Sequence, residues 1–382
     1  MAYHIVLNHA FDLEGIARDA EADLRPRHCM SKVAELLGAT IHLPGDEPIT
    51  FLDQLRSKLI GRPEDWALAR RLAPQLGHED VVICNGEAHS FPLAALCDPQ
   101  NLPAIVTYPH NPIRPKAKLA MRMLGIAQRV DLFLTESAIT AEFLRRFLSI
   151  SPSRVKLFQD QATDIRFFRP SKTAPNNKRP LIGSGGMEGR DYQTLAQAVQ
   201  DLDIDVRVSA ASPDARNSSC VMPTQVPSNM VCRHHEWGEL RQLYQDADLM
   251  IVPLTYNRQQ SGLTTLLEAM ACRKPVIMTR IPGMNADLID EGYVIGVPPN
   301  DPTALRRAIV DLLENPEKVE ALAQRGYDLV LQRHNHDLYV NKLVNLITSR
   351  YESKVNPQSK MTTSAKSHYS VSSNLYPALS KV

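Results

Sequence analysis

For its length the chain is short of cysteine, and the cysteines it has are scattered. Cys29, Cys84, Cys97, Cys220, Cys232 and Cys272 form no C-x-x-C pair, and no histidine stands at metal-ligand spacing from them. That excludes a disulfide framework or a zinc site and predicts reduced, buried thiols in a cytoplasmic protein. No stretch approaches the ~18 consecutive apolar residues of a membrane span. The opening MAYHIVLNHAFDLEG lacks the cationic region and long apolar stretch of a secretory signal. Charge of one sign is missing as well. With a formal net charge of +1 there is no global field to draw the chain to nucleic acid, and no such partner is expected.

What is there reads as an ordinary soluble protein, 43% hydrophobic and 22% charged. At 382 residues the chain exceeds one compact core, so two domains plus extras are expected. Short apolar, β-branched runs alternate with helical patterns. Strands are predicted at Tyr3–Leu7, Val81–Cys84, Ala104–Thr107, Asp131–Thr135 and Val155–Leu157, then at Pro180–Gly183, Asp205–Ala210, Leu249–Pro253, Pro275–Met278 and Tyr293–Val297. Helices are predicted between them at Cys29–Leu37, Trp66–Leu76, Ala138–Leu148, Tyr192–Asp201, Leu240–Asp246, Leu263–Cys272 and Pro302–Glu314. Buried strands separated by helices signal parallel sheets covered on both faces. The pattern occurs twice, which predicts an α/β fold of two doubly wound, Rossmann-like domains facing across a cleft. The segment PSKTAPNNKRP, Pro170–Pro180, has little to bury and reads as the seam. Residues 1–170 are the first domain and 178–335 the second; 336–353 form a packing helix, and the acid-free, Ser/Thr/Lys-rich tail 354–382 is expected to be disordered.

Ligands of open α/β sheets bind beyond the carboxyl ends of strands, and three such places stand out. In GSGGMEGRDYQTL a strand runs into glycines that include Gly185 and Gly186, then Arg190, then a helix start at Asp191. This is either a phosphate cradle, with glycine giving close approach and Arg190 a planar fork, or a tight strand–helix turn with Asp191 as N-cap. In QQSGLTTLLEAMACRKPVI, Leu266, Leu267, Met270 and Ala271 make a core face, while Thr264 and Glu268 are i, i+4 neighbours on another. Glu268 is either a solvated acid or an acceptor for vicinal hydroxyls at an anion-binding helix start. In VTYPHNPIRPKAKLAMRMLGIAQR, His110 follows a strand and is structural or catalytic. Arg114, Lys118, Arg122 and Arg129 then form a basic stripe, with Leu119, Met123 and Ile126 covering another side. The stripe is either a solvated face or one that lies on an anionic membrane.

Together these segments resemble the retaining, GT-B-fold glycosyltransferases of family 4 (glycosyl transferases group 1), over roughly Val106 to Asn315. QQSGLTTLLEAMACRKPVI is similar to the family's E-x7-E region. VIGVPPNDPTAL (Val294–Leu305), TDIRFFRP (Thr163–Pro170) and YQDADLMIVPL (Tyr244–Leu254) match further family segments. The resemblance implies that Glu268 holds the nucleotide ribose. Gly262, Leu263, Thr264 and Thr265 would meet the diphosphate at the helix start. Arg190 would be a diphosphate ligand beside Gly185 and Gly186, and His110 would stand by the donor sugar and reaction centre. Gln260 falls where the family has its first glutamate, Met187 near the place of a family arginine, and Arg273 where the family has glycine.

The implied activity is metal-independent transfer of a hexose from a nucleoside-diphosphate sugar, UDP favoured by family habit, to a hydroxyl of a lipid, glycan or small molecule. No metal and no cofactor are expected: Asp203-Ile204-Asp205 spells D-x-D but precedes a strand and reads as a turn. The basic stripe would place the enzyme at the inner face of the cytoplasmic membrane. Two other readings stand. One is a sugar-nucleotide epimerase using Glu87 and Glu136 as acid and base. The other is a transfer-deficient nucleotide-sugar-binding protein, suggested by Gln260 and Met187.

Overall fold

Twelve short strands in two parallel sheets carry the molecule, here a computed structural model that describes residues 1–45, 47–173, 177–210, 219–257, 261–282 and 284–355. The first sheet holds β1 (Tyr3–Val6), β2 (Thr40–His42), β3 (Val81–Cys84), β4 (Ala104–Thr107), β5 (Leu132–Thr135) and β6 (Val155–Leu157). Its order is β2-β1-β3-β4-β5-β6, all pairs parallel. Around it lie α1 (Leu13–Glu21), α2 (Cys29–Leu37), α3 (Phe51–Ser57), α4 (Pro63–Leu72), α5 (Glu87–Leu96), α6 (Pro115–Met123), α7 (Ile126–Arg129) and α8 (Ala138–Leu148).

The second sheet holds β7 (Leu181–Gly185), β8 (Asp205–Ser209), β9 (Met230–Arg233), β10 (Leu249–Val252), β11 (Val276–Thr279) and β12 (Ile295–Val297). Its order is β12-β11-β10-β7-β8-β9, again all parallel. Its helices are α9 (Tyr192–Val199), α10 (Trp237–Asp246), α11 (Leu263–Ala271), α12 (Met284–Asp290), α13 (Pro302–Leu313) and α14 (Pro316–Arg333); α15 (His336–Val355) ends the described chain.

The two sheets are the predicted doubly wound pair. Val81–Cys84 and Leu249–Val252 are buried at every residue, as strands covered on both faces must be. Apolar clusters fill both flanks of the second sheet, one under α11 and α14 and the other under α9 and α13. Residues Met1–Val344, with both sheets, form one compact unit. The predicted disordered tail lies outside the described residues from 356 onward.

Two neighbouring passages join the sheets. The chain leaves the first sheet after β6 and returns after α14, where Thr163 and Asn335 pair in parallel. Thr163 N–H donates to the His334 carbonyl at 3.3 Å, and His336 N–H to the Thr163 carbonyl at 2.8 Å. Arg27 holds this corner, donating to Asp164 at 2.7 Å and Asp337 at 2.8 Å.

In each sheet the strand order reverses once, between β1 and β3 in the first and between β7 and β10 in the second. Adjacent loops there part in opposite directions and open a crevice beyond the strand ends. A cleft of about 1080 Å³ is lined from both crevices.

Candidate active site

The wall contributed by the second sheet is built on two loops tied back to back. Asp191 N–H donates to the Pro253 carbonyl at 3.0 Å and Thr255 N–H to the Gly189 carbonyl at 2.9 Å, so the loop after β7 is clamped against the end of β10. Gly186 has φ +89°, and a Cβ there would stand 2.3 Å from a guanidinium nitrogen of Arg190. Glycine is required because the arginine folds back over the loop. Arg190 is buried and donates to the Gly185 carbonyl (2.8 Å), the Glu188 carbonyl (2.7 Å) and Thr265 Oγ1 (3.0 Å). These three partners are all neutral, so none of them offsets the guanidinium charge in the cleft wall.

Asp191 is the plain N-cap among the two alternatives. Its carboxylate accepts from Thr194 N–H at 3.0 Å and closes the start of α9. The start of α11 differs. Gly262, at φ +85°, is its N-cap and no side chain caps it, because a Cβ at that position would lie 2.7 Å from Val252 Cγ1. The first-turn N–H groups of Leu263, Thr264 and Thr265 are therefore left to whatever enters the cleft. Thr264 is exposed there, whereas Thr265 is buried against Arg190.

Glu268, one turn further on, is buried and still lines the cleft. The Tyr244 hydroxyl donates to its Oε2 at 3.0 Å. Burial pushes its carboxyl up to about 8, against the opposing pull of Tyr244 and the Arg190 charge. A carboxyl held this high in a cleft is poised to gain hydrogen-bond donors from a ligand. Gln260 lies outside the described residues.

The wall from the first sheet is looser. His110 follows β4 and is exposed. Its backbone N–H donates to Glu87 Oε2 at 2.7 Å, and Asn111 N–H to Oε1 at 3.1 Å. Glu87 thus shapes the His110 loop, and both its oxygens are engaged in doing so. Glu136 also lines the cleft, beside the half-buried Tyr108.

The basic stripe comes apart in the structure. Arg114 caps α6 at the cleft, and Lys118 and Arg122 lie over the Phe143 and Phe147 rings of α8 at 5.2 Å and 4.6 Å. Arg129 turns inward and donates to the Ala94 and Cys97 carbonyls at 2.8 Å and 3.1 Å, closing α5. Leu119 and Met123, expected to cover a core side, are exposed instead; α6 packs through Ala117, Ala120 and Met121, and only Ile126 is buried as predicted.

Sequence reasoning missed Tyr244, whose partner is 24 residues away on another helix. It missed Ser209, His234 and His235, which line the cleft after β8 and β9, and Asn8 and Asn85 on the opposite wall. The signal that could have found the asparagines is their position at strand ends flanking a reversal of strand order. Among the described residues no cluster of three or more His, Cys, Asp or Glu could hold a metal ion.

This geometry defines a two-lobed α/β fold of the GT-B architecture, with a buried guanidinium and an uncapped helix start in the crevice of its second lobe. The glycosyl transferases group 1 family model matches residues 185–315, which contain that crevice. The D-inositol 3-phosphate glycosyltransferase of Kineococcus radiotolerans is 27% identical over 154 residues, 38% of this chain and 30% of that protein. The chain thus spans about a third of the length of the curated relatives it matches. Among solved structures, sucrose-phosphate synthase from Thermosynechococcus elongatus superposes with a TM-score of 0.69 at 16% identity, covering 92% of this chain and 100% of that one. Anabaena HepE in complex with UDP and glucose gives 0.65 at 14% identity, with 91% and 100% covered. At these identities the structural likeness establishes the fold.

Proposed function

We propose that the chain is a retaining, metal-independent glycosyltransferase that moves a hexose from a nucleoside-diphosphate sugar, UDP-hexose first, to an acceptor hydroxyl. The observation that carries this reading is the pairing of a buried carboxylate, Glu268, with the buried charge of Arg190 at the uncapped start of α11. Vicinal ribose hydroxyls would donate to Glu268, and the diphosphate would sit against Arg190 and the N–H groups of Leu263 to Thr265. Support for the nucleotide comes from the match of this segment to the family and from a structural relative solved with UDP.

In the proposed reaction the bond from the sugar anomeric carbon to the diphosphate oxygen breaks. A bond to the acceptor oxygen forms on the same face, and the acceptor proton passes to the departing diphosphate. Arg190 and the α11 N-terminus stabilise the charge that develops on the leaving group. They supply the positive charge that a metal ion would otherwise bring. The α9 start takes no part, because Asp191 fills it. His110 steadies the donor sugar, and approach of the two lobes excludes water. The acceptor is a lipid, a glycan or a small molecule, met on the cytoplasmic side. An epimerase reading is less well served, since both oxygens of Glu87 already hold the His110 loop.

A thermal-shift series with UDP, GDP and their hexoses tests the donor. A ligand at 100 times its Kd stabilises by ~2.7 kcal/mol, and Glu268→Ala should abolish the response. Activity lost to EDTA and restored by magnesium would contradict the metal-free reaction.

A further inference from the structure

The two most exposed of the large apolar side chains among the described residues, Phe51 and Met123, lie on α3 and α6 of the first lobe. Phe51 is 76% exposed, and Leu52 and Leu55 join it on the outer face of α3, with exposed Lys58 three residues beyond Leu55. The only acid of that helix, Asp53, points the other way; it is fully buried and accepts from Arg70 at 3.0 Å. On α6, Met123 (67% exposed) and Leu119 stand among Lys116 and Arg122, and the helix contains no acid at all. The two helices share a flank: Leu59 and Ile60, directly after α3, pack into the same cluster as Ala120, Met121 and Ile126. Both lead into the cleft. Arg114 at the head of α6 lines it, and Arg62, just past α3, donates to the carbonyl of the lining residue Asn8 at 2.6 Å.

We infer that α3 and α6 together form a surface that docks on an anionic lipid bilayer, with α3 as the inserted element. The apolar side chains would enter the boundary between headgroups and acyl chains, and the cations around them would meet lipid phosphates. Charge decides against a second copy of the chain as occupant. A two-fold contact would bring each patch onto its own image, cation against cation, with no exposed acid on either helix to pair with them. No helix among the described residues is long and apolar enough to cross a membrane, so the contact is a peripheral one. That the docked surface serves the cleft, by presenting an amphiphilic acceptor to it, rests on the glycosyltransferase reading; the docking itself does not.

Vesicle flotation at low salt tests this with the full chain, comparing phosphatidylcholine vesicles with vesicles that also contain phosphatidylglycerol. Wild type should float with the anionic vesicles. The variant Phe51→Glu with Leu52→Glu should lose at least about tenfold in partitioning. Lys116→Glu with Arg122→Glu should lose about 30-fold on anionic vesicles and little on neutral ones. All four positions are exposed, so melting temperature and the UDP-induced shift should stay at wild-type values, which separates lost docking from lost folding. Absence of wild-type flotation overturns the inference, as does undiminished flotation of the Phe51/Leu52 variant. It is overturned equally if wild type is a dimer that this variant splits into monomers. Flotation without any response to UDP overturns the reading of the cleft and leaves the surface standing.

Discussion

The two crevices of the cleft are made by the same topological device and are finished in opposite ways. At the second, the guanidinium and the carboxyl beside the start of α11 are buried and held. Arg190 is fixed by two carbonyls and a hydroxyl, and Glu268 by Tyr244. At the first, His110 is exposed, and its loop is shaped through the backbone by one carboxylate. A rigid crevice suits a ligand that never changes, and a looser one suits a variable partner. The family match follows that division, covering the second crevice at residues 185–315 and leaving the first outside.

If rigidity is the difference, the largest effect should come from Arg190→Ala. It strands the Glu188 carbonyl and leaves the Gly185 carbonyl and Thr265 Oγ1 only their long bond to each other, at about 3 kcal/mol or more in denaturant unfolding. It should also abolish the UDP response. Arg190→Lys keeps the charge without the fork and should recover only part of either loss.

Glu268→Gln comes next and should move stability and binding in opposite directions. The wild-type carboxyl, held near 8 when folded, keeps its proton where the unfolded chain has released it, so stability falls as pH rises from the ordinary 4.5 toward 8. The glutamine variant lacks this slope and should be more stable at pH 8 by about 2 kcal/mol, read from unfolding at several pH values. It should bind UDP roughly tenfold or more weakly. In the wild type, ribose hydroxyls that donate to the carboxylate should draw its proton off. Calorimetry near pH 7 in buffers of different ionisation enthalpy should then report proton release, absent in the variant.

On the looser side, His110→Ala should lower turnover about a hundredfold while leaving UDP affinity intact. Glu87→Gln, which keeps only one acceptor oxygen for two N–H groups, should fall between this variant and wild type. Loss of UDP affinity in either would erase the proposed division of labour.

The smallest effect concerns the far end of α11. Arg273 has φ +57°, with Arg273 N–H on the Met270 carbonyl and Lys274 N–H on the Ala269 carbonyl, a Schellman ending that favours glycine. Its side chain offsets part of the strain by donating to Gln324 at 2.9 Å and pairing with Glu320. Arg273→Gly should stabilise by about 1 kcal/mol or less, with UDP binding unchanged.

How much of this was legible follows burial. Continuous β-branched runs such as Val81–Cys84 and Ala104–Thr107 announce themselves, and their predicted bounds match the structure. The strands missed were the edge strands β2 and β9, whose residues are largely out of the core. Helix α3 escaped because its apolar residues face solvent, so no core-facing period marks it, and α5 because Pro92 interrupts a segment buried on nearly all sides. Glu268, Arg190 and the α11 glycine were found because each lies inside one continuous motif. Tyr244 was not, since what makes it matter is a contact between two helices. The divergence of the basic stripe went unseen for a related reason: spacing says which residues share a helix face but not which neighbours, here the phenylalanines of α8, their side chains will lie over.

The side-by-side passages at Thr163 and Asn335 bear on how such a molecule can work. Two threads crossing at one spot behave as a pin rather than a strap: the halves can swing about it without tearing either core. The swing must then be borne by a few backbone amides near Thr163 and His336, far from the ligand in sequence. Their hydrogen exchange should slow when a nucleotide draws the halves together, an account of closure taken from the hinge and not from the mouth.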